Sequence, residues 1–230
     1  MQRMFDFLQK PMPEQAEERF STYCSMLLET NRVMNLTAIE TPEDVYSRHF
    51  YDSLALMQFF SLENARVIDV GCGAGFPGLP LKIANPSISL TLLDSLEKRI
   101  RFLSSVCEEL NLPNVSCIHG RAEEFSHTDA RESYDFAVSR AVAALPMLCE
   151  LCLPFLKVGG KLLAMKAENC EEELQSAENA ITTLGGTLAD RKVYSFPGSD
   201  CARSLIVIEK IAPTPEKYPR RFAKIQKSPL

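Results

Sequence analysis

The chain has 230 residues, of which 46% are hydrophobic and 24% are charged, and its formal net charge at pH 7 is −5. That length accommodates one substantial domain with a small extension, and the acidic balance counts against a protein that is basic over its whole surface. No apolar run approaches the roughly 20 residues of a membrane span, and no signal-peptide pattern opens the chain, so we expect a cytoplasmic protein. The eight cysteines lie scattered in apolar segments, which favours reduced thiols that fill the core.

Residues 1–62 are predicted to form a small helical extension. Pro13 opens a segment whose first turn is acidic and whose apolar residues then recur at helical spacing. After an interruption, Thr41 stands where it can cap a second helix, which ends near Phe60. That second helix carries two residues that can face a ligand, Arg48 and His49.

Residues 63–210 are predicted to form the main domain, because short apolar runs alternate there with helical periods. Seven runs are predicted as strands, beginning near positions 67, 88, 115, 134, 161, 188 and 204. This alternation predicts an α/β, Rossmann-like fold with a mostly parallel seven-stranded sheet covered on both faces. A helix is expected from Leu145 to Leu156, followed by a turn at 157–160. Cys149 and Cys152 lie inside that apolar helix, which favours packing over metal binding.

Residues 211–230 form a basic tail. It contains five basic residues against one acid, which leaves +4: Lys217, Arg220, Arg221, Lys224 and Lys227 against Glu216. Two interpretations fit this composition. One is a solvated, disordered end, and the other is an arm that contacts phosphates, since such charge attracts polyanions whatever the total charge.

The segment from Arg66 to Gly78 organises the chain. A β-branched run leads directly into four glycines within eight residues, from Gly71 onward. Glycine has no Cβ and tolerates positive φ, so a backbone turn here can pass close to a ligand. Asp94 closes the next apolar run at a distance suited to a ribose hydroxyl. These features predict a nucleoside-cofactor site at the carboxyl ends of two parallel strands.

Two cofactors compete for this loop. The glycines satisfy G-x-G-x-x-G from Gly73 onward, which suits a nicotinamide dinucleotide, but that glycine comes late after the strand. Pro77 and Pro80 also remove backbone N–H donors that a pyrophosphate would use. The other frame, Asp69-Val70-Gly71-Cys72-Gly73, suits S-adenosylmethionine, which has no phosphate and carries positive charge near which Asp69 would lie. We favour S-adenosylmethionine.

Other residues at strand ends point to the same edge of the sheet. Ala122 and Glu123 follow the third strand, where their backbone can face an adenine, although a bare surface turn fits the local sequence equally well. Arg140 ends the fourth strand, where a surface ion pair is the alternative. Asp69 also fits a loop-capping carboxylate, and Asp94 fits the N-cap of the next helix.

An ordered set of motifs extends over nearly the whole chain. The set comprises Asn35-Leu36-Thr37, Arg48-His49, Asp52-Ser53, Asp69 to Pro80, Leu92-Leu93-Asp94-Ser95, Lys98-Arg99, Arg101-Phe102-Leu103, Ser139-Arg140-Ala141, Lys157 to Gly160, Pro219-Arg220-Arg221 and Lys227-Ser228-Pro229-Leu230. In these motifs the chain resembles the bacterial glucose-inhibited division protein B family, also called the ribosomal RNA small-subunit methyltransferase G family. It departs from many members at Cys72, where they have Ser or Thr, and at Phe222-Ala223-Lys224, where they have a glycine.

The resemblance implies an S-adenosylmethionine-dependent methyltransferase that acts on N7 of one guanosine in 16S ribosomal RNA, near the decoding centre. The expected partner is that RNA or the small ribosomal subunit, with no membrane, and the expected state is a monomer. Matched position by position, the family's cofactor contacts fall on Gly71, Phe76, Ala122, Glu123 and Arg140. The loop and strand pattern adds Asp69, Gly73 and Asp94.

Guanine N7 has a lone pair and no proton at neutral pH, so its methylation requires no general base. We therefore expect no catalytic base and no metal, but direct in-line transfer that depends on positioning. The base would be unstacked, onto an aromatic side chain such as Phe76. For His49, a helix-packing role is the alternative to RNA contact. The candidate RNA-binding residues are His49, Arg48, Lys98, Arg99, Arg220 and Arg221.

Three other classes of function stay open at this point. A methyltransferase acting on another RNA, a protein or a small molecule would share the cofactor half of the site. A nicotinamide-dependent oxidoreductase would bind a dinucleotide instead. An assembly factor of the small subunit would bind without turnover.

Overall fold

The seven predicted strands all occur in the structure and join in one sheet. The structure is a computed structural model, and it describes residues 7–8, 11–197, 199 and 202–230. The strands are β1 Arg66–Val70, β2 Ser89–Asp94, β3 Val115–His119, β4 Tyr134–Arg140, β5 Leu156–Ala167, β6 Gly186–Tyr194 and β7 Arg203–Lys210.

The strand order is β3-β2-β1-β4-β5-β7-β6. Strands β1 to β5 pair in parallel, and β7 is antiparallel to both of its neighbours, β5 and β6. Only β7 is reversed, which confirms the predicted mostly parallel sheet. Because β1 pairs with both β2 and β4, the chain progresses outward in opposite directions from this point. In such sheets the crevice for a ligand lies at the carboxyl ends of the two central strands.

The helices alternate with these strands as predicted. They are α1 Ala16–Met34, α2 Pro42–Asp44, α3 Asp52–Leu54, α4 Gly78–Ala84, α5 Glu97–Glu109, α6 Ala122–Phe125, α7 Leu145–Cys152, α8 Glu171–Thr183 and α9 Phe222–Lys227. A π-helical segment, Val45–Tyr51, joins α2 to α3, and 3-10 turns follow α3 and α7. Helices α6 and α9 were missed, because fewer than two turns give no readable period. Among the described residues, no helix combines the length and hydropathy needed to cross a membrane.

Each face of the sheet has its own hydrophobic core, because side chains alternate in direction along a strand. In β1, Val67 joins a core that includes Phe20 of α1 and Phe50 of the π-helical segment, with α4 and α5 on the same face. Ile68 joins the opposite core, which α7, α8 and α9 cover, with Leu148 among its members. The N-terminal helices therefore share a core with the sheet.

The structure corrects two boundaries in the middle of the chain. The helix expected from Leu145 to Leu156 ends at Cys152, since Pro154 in the following 3-10 turn lacks the N–H that a continuing helix needs. The strand expected from Lys161 begins at Leu156 instead. The predicted turn at 157–160 is an irregularity inside β5, where the pairing with β4 shifts register.

The cysteines are core residues. The seven cysteines of the described part of the chain are all free. Cys149 and Cys152 are fully buried in α7, which confirms the packing interpretation of this pair.

The basic tail packs against the domain, so its interpretation as a solvated end is wrong. Thr214 and Tyr218 are buried, and Ile225 of α9 is buried in the core that α7 covers. Arg131 fastens the tail by donating from Nη2 to the carbonyl of Thr214 at 2.7 Å and from Nη1 to that of Tyr218 at 3.0 Å. The phosphate-contacting role of the tail stays a prediction.

Candidate cofactor and substrate site

The glycine loop lies in the crevice where the strand order reverses. The N–H of Gly71 donates to the carbonyl of Leu93 at 2.8 Å and so joins the loop to β2. Gly71 has φ +70°, and a Cβ at this position would lie 2.7 Å from Cγ2 of Val142. The backbone angle therefore favours glycine here, and a Cβ would in addition displace the side chain of Val142.

Asp94, at the end of β2, holds this loop and the next helix in place. Its Oδ2 accepts from the N–H of Gly73 at 2.9 Å and from Nη1 of Arg99 at 3.2 Å. Its Oδ1 accepts from the N–H of Leu96, which is the N-cap residue of α5, at 2.9 Å, so Asp94 is not itself the N-cap considered as an alternative. An ionised carboxylate offers about four acceptor positions. Three of them are in use, so one acceptor position remains for a ligand.

A cavity of about 190 Å³ opens at the carboxyl ends of these strands. Four of the predicted cofactor residues line it, namely Gly71, Asp94, Ala122 and Glu123. Most of the remaining lining is apolar: Val70, Leu93, Val142, Met147, Leu151 and Phe222. A buried carboxylate with a free acceptor position beside apolar walls suits a ribose and a purine, so these residues fit the adenosyl part of S-adenosylmethionine.

Asp69 lies beneath the loop and lines neither this cavity nor the larger cleft described below. Its Oδ2 accepts from the N–H of Gly78 at 2.7 Å, at the start of α4, which is the loop-capping role considered from the sequence. Its Oδ1 is buried and makes no hydrogen bond within the described part of the chain. Burial raises the pKa of Asp69 from 3.8 to about 7, against the opposing effects of the Gly78 N–H and of Arg140.

Arg140, at the end of β4, makes three hydrogen bonds to the π-helical segment and α3. Its Nη1 donates to Oδ2 of Asp52 at 2.9 Å and to the carbonyl of Arg48 at 3.1 Å, and its Nη2 donates to Nδ1 of His49 at 2.9 Å. The ion pair is buried, since the side chains of Arg140 and Asp52 are 15% and 4% exposed. The other oxygen of Asp52 accepts from the hydroxyl of Tyr194 at 3.0 Å.

These contacts determine the protonation of His49. A guanidinium has donors only, so Nδ1 of His49 must accept and Nε2 must carry the proton. Nε2 then donates to Oγ1 of Thr37 at 2.9 Å. Burial and the charge of Arg140 lower the pKa of His49 to about 3. His49 is therefore a neutral, packed side chain with both nitrogens engaged.

Phe76 does not face either cavity. Its ring stacks on His49 at 4.2 Å between centroids, and the guanidinium of Arg140 lies 5.1 Å from its centroid. The rings of Tyr23 and Phe50 also lie beside it, at 5.5 and 6.0 Å between centroids. Phe76 is 6% exposed, so it is not available as a platform for an unstacked base.

A larger cleft of about 690 Å³ lies beside the Arg140 network. Its lining includes Arg48, His49, Asp52, Arg140, Met165, Lys166, Glu173, Tyr194 and Arg203. Val142 and Ala143 line this cleft and the smaller cavity alike. The two spaces therefore meet at a common wall formed by these two residues.

The charges of the larger cleft leave an excess of positive charge. Arg140 offsets Asp52, and Lys166 lies 2.7 Å from Oε2 of Glu173. Arg203, at the start of β7, has a buried Nε that makes no hydrogen bond within the described residues. Its charge is balanced by no carboxylate of the lining, which makes the cleft attractive to an anion.

The structure separates the predicted RNA-contacting residues into two groups. Arg48 and His49 line the larger cleft. The others lie outside it: Lys98 donates to the carbonyl of Met34, Arg99 is bound to Asp94, Arg220 is bound to Glu150, and Arg221 lines a separate cavity.

Several lining residues carried no signal in the sequence. Arg203 and Lys166 lie at the ends of strands that are far from the glycine loop in sequence. Val142 belongs to an irregular segment after β4, and Phe222 belongs to the tail. Each reaches the site through tertiary packing, and only the predicted strand order could have indicated the two strand-end residues.

Solved structures define the class of this fold. A SAM-dependent methyltransferase from Aquifex aeolicus matches with a TM-score of 0.56 at 16% identity, over 76% of this chain and 97% of that one. TYW2 of M. jannaschii, solved in complex with AdoMet, matches with a TM-score of 0.53 at 19% identity, over 66% of this chain and 72% of that one. At these identities the likeness concerns the fold alone. The fold is that of the S-adenosylmethionine-dependent methyltransferases.

Sequence comparisons define the family. The family model described as rRNA small subunit methyltransferase G matches residues 16–197. A relative of that name from Alkaliphilus metalliredigens is 51% identical over 215 residues, which cover 93% of this chain and 90% of the relative. Another, from Streptococcus pneumoniae, is 46% identical over 223 residues, covering 96% and 94%. The chain belongs to this family. It is a methyltransferase, and its cofactor is S-adenosylmethionine, as predicted.

Loss of Arg140 is expected to destabilise the fold strongly. Arg140→Ala leaves Asp52 buried without its cation, which costs roughly 3–5 kcal/mol. Arg101→Ala serves as the control, because its pair with Glu97 is exposed and contributes less than about 1 kcal/mol. Urea unfolding of both variants measures the difference. Equal losses of stability would show that the Arg140 pair is not a structural constraint.

Asp69 is expected to make stability depend on pH. Because its folded pKa of about 7 lies above the ordinary 3.8, the folded protein keeps a proton that the unfolded chain releases between these values. The wild type therefore loses stability as pH rises through this window, whereas Asp69→Asn does not. The unfolding free energy of the variant, relative to wild type, should rise by up to about 4 kcal/mol from pH 4 to pH 7. A difference that stays constant with pH would refute this assignment.

Proposed function

We propose that the chain transfers the methyl group of S-adenosylmethionine to N7 of a guanosine in 16S ribosomal RNA, near the decoding centre. We further propose that it acts in the cytoplasm, as a monomer, on the RNA or the small ribosomal subunit. The observation that carries the proposal is the common wall of the two spaces, Val142 and Ala143. A donor in the smaller cavity and a base in the larger cleft would lie next to each other. The names of the relatives support ribosomal RNA as the substrate.

In this proposal the smaller cavity holds the cofactor, which supplies an electrophilic methyl group when bound. Asp94 offers its remaining acceptor position to the ribose. The backbone of Ala122 and Glu123 faces the adenine, and Gly71 allows the methionyl end to approach. Three predicted residues support this cavity without lining it. Gly73 is hydrogen-bonded to Asp94, Asp69 is hydrogen-bonded to Gly78, and Phe76 stacks on His49.

The size of the cavity implies that Val142 moves. Pockets for small molecules and cofactors such as S-adenosylmethionine have volumes of about 300 Å³ or more. The volume of this cavity is only about 190 Å³. Val142 fills the space over Gly71 from a segment in which Ala141 adopts a left-handed φ of +56°. We therefore expect this side chain to shift when the methionyl end reaches Gly71.

The chemistry of the larger cleft favours an acceptor that loses no proton. His49 is neutral with both nitrogens engaged, Asp52 accepts from Arg140 and Tyr194, and Glu173 pairs with Lys166. His49 therefore has no nitrogen free to act as a general base, and each of the two carboxylates of the lining is paired with a cation. Guanine N7 attacks through a lone pair and releases no proton, so it matches this lining better than a hydroxyl or an exocyclic amine.

Catalysis then depends on positioning. Holding two reactants in an aligned geometry can lower the barrier by as much as roughly 7–11 kcal/mol. The base must leave its stack to enter the cleft, and a single-stranded loop makes this least costly. We propose that Arg48 and Arg203 hold phosphates at the cleft, with Lys98 and Arg221 extending the contact on exposed surfaces.

The direct test is transfer of radiolabelled methyl groups to small subunits from cells that lack this protein. We expect incorporation at one guanosine, mapped as 7-methylguanosine by nuclease digestion and mass spectrometry. The same assay on naked 16S RNA distinguishes the two forms of the substrate. Binding to subunits without methyl incorporation would favour an assembly factor. Incorporation into bulk RNA or a small molecule with none in the subunit would favour another methyl acceptor.

Arg203 is expected to matter for RNA binding. Arg203→Ala should raise KM for the RNA substrate about 10-fold or more with little change in kcat, because a charge-assisted contact present before and during reaction contributes uniformly. It should also lower the slope of log affinity against log salt by about 1. Lys157→Ala is the control, since it removes a positive charge at the opposite edge of the sheet, where Lys157 pairs with Asp135. If both substitutions change KM and the salt dependence equally, Arg203 is not part of the RNA-binding surface.

A further inference from the structure

The docked tail reaches the cofactor cavity. Phe222, the first residue of α9, lines the smaller cavity together with Gly120, Arg121, Ala122 and Glu123. It also lines a cavity of about 550 Å³ on the other side, formed by residues of α6 and the tail. Arg121, Glu123 and Phe222 line both spaces, so they separate them, and Phe222 is the one of the three that the tail contributes, at the end of the cofactor cavity that is assigned to adenine.

A buried ion pair holds the tail in this position. Glu150 of α7 is fully buried, and its Oε1 accepts from the backbone N–H of Arg220 and from Nε, both at 2.8 Å. Its Oε2 accepts from Nη2 of Arg220 at 2.6 Å. Such a fork of charge-assisted hydrogen bonds fixes both the side chain and the backbone two residues before Phe222.

Contacts on both sides of Phe222 restrict it further. Ile225, one turn later in α9, is fully buried. The guanidinium of Arg121 lies 5.1 Å from the centroid of the Phe222 ring, within the range of a cation–π interaction. The backbone around Phe222 is thus fixed by Arg220 and Ile225, and its ring contacts the residue before Ala122. This arrangement is prepared before any ligand binds.

We propose that Phe222 is the outer wall of the adenine subsite and that tail docking and cofactor binding stabilise each other. The proposal rests on the placement of the cofactor given under Proposed function. An aromatic ring beside a base contributes about 5- to 100-fold to its affinity through stacking. Because coupling between two equilibria is reciprocal, a bound cofactor must also hold the tail more firmly.

Calorimetric titration with S-adenosylhomocysteine tests whether Phe222 contributes to the affinity for the cofactor. Phe222→Ala is expected to weaken binding about 5- to 100-fold, and Phe222→Tyr is expected to bind nearly as well as the wild type. Lys224→Ala, an exposed residue of the same helix, should bind as the wild type does. Equal affinity for Phe222→Ala and the wild type would overturn the proposal.

An optical measurement gives a second readout. The chain contains no tryptophan, so Phe222→Trp places a single reporter at the site. Its emission should change with S-adenosylhomocysteine and saturate at the calorimetric affinity. Val158→Trp, at an exposed position of β5, should not respond. An unresponsive emission from Phe222→Trp, with binding intact, would place the adenine elsewhere.

Trypsin protection tests the coupling. Glu150→Gln removes the charge that holds Arg220, so cleavage after Arg220 or Arg221 should become faster and cofactor affinity should fall. In the wild type, S-adenosylhomocysteine should slow this cleavage, and in Phe222→Ala it should not. Cleavage that is indifferent to ligand in the wild type would contradict the coupling.

Asp94→Ala separates this inference from the cofactor placement on which it depends. If Asp94→Ala binds S-adenosylhomocysteine as tightly as the wild type, the placement itself is wrong, and the role of Phe222 falls with it. If Asp94→Ala weakens binding and Phe222→Ala does not, the placement stands and only the wall is refuted. Weakening in both variants supports both.

Discussion

The hydrogen bonds of Arg140 connect parts of the chain that lie far apart in sequence. Its guanidinium contacts Arg48, His49 and Asp52, which lie 92, 91 and 88 residues earlier. A guanidinium presents its donors in a rigid fork, so these partners cannot slide past β4 without losing several bonds at once. Displacing them would also leave the buried carboxylate of Asp52 without its cation. The larger cleft therefore keeps one position relative to the glycine loop.

Asp94 has the corresponding role on the cofactor side. Its carboxylate gathers N–H donors from the glycine loop, from the start of α5 and from Arg99. In both places a nearly buried carboxylate is used to hold backbone and side chains together. This use of charge agrees with the chemistry proposed for the site, since methylation of a lone pair requires alignment and no proton transfer. In the tail, too, a buried carboxylate has this role, because Glu150 holds Arg220 and thereby positions Phe222.

Much of this arrangement follows from local sequence. The alternation of apolar runs predicted all seven strands, and Gly71 and Asp94, which were expected at one ligand, line the same cavity. Both signals lie within single elements. Long-range pairing could not be predicted in this way. The partner of Arg220 is Glu150, which lies 70 residues earlier. Nothing in the sequence distinguishes this buried glutamate from one on the surface. Phe76 was expected at the ligand, but its stacking on His49 depends on how two distant segments meet.

In the proposed reaction the methyl donor and the acceptor base meet at the wall formed by Val142 and Ala143. A crystal structure with S-adenosylhomocysteine tests it most directly. We expect adenine between Gly120–Glu123 and Phe222, ribose hydroxyls on Asp94, and the sulfur atom at that wall, facing the larger cleft. A sulfur atom that faces away from the larger cleft, or a ligand bound outside the smaller cavity, would contradict it.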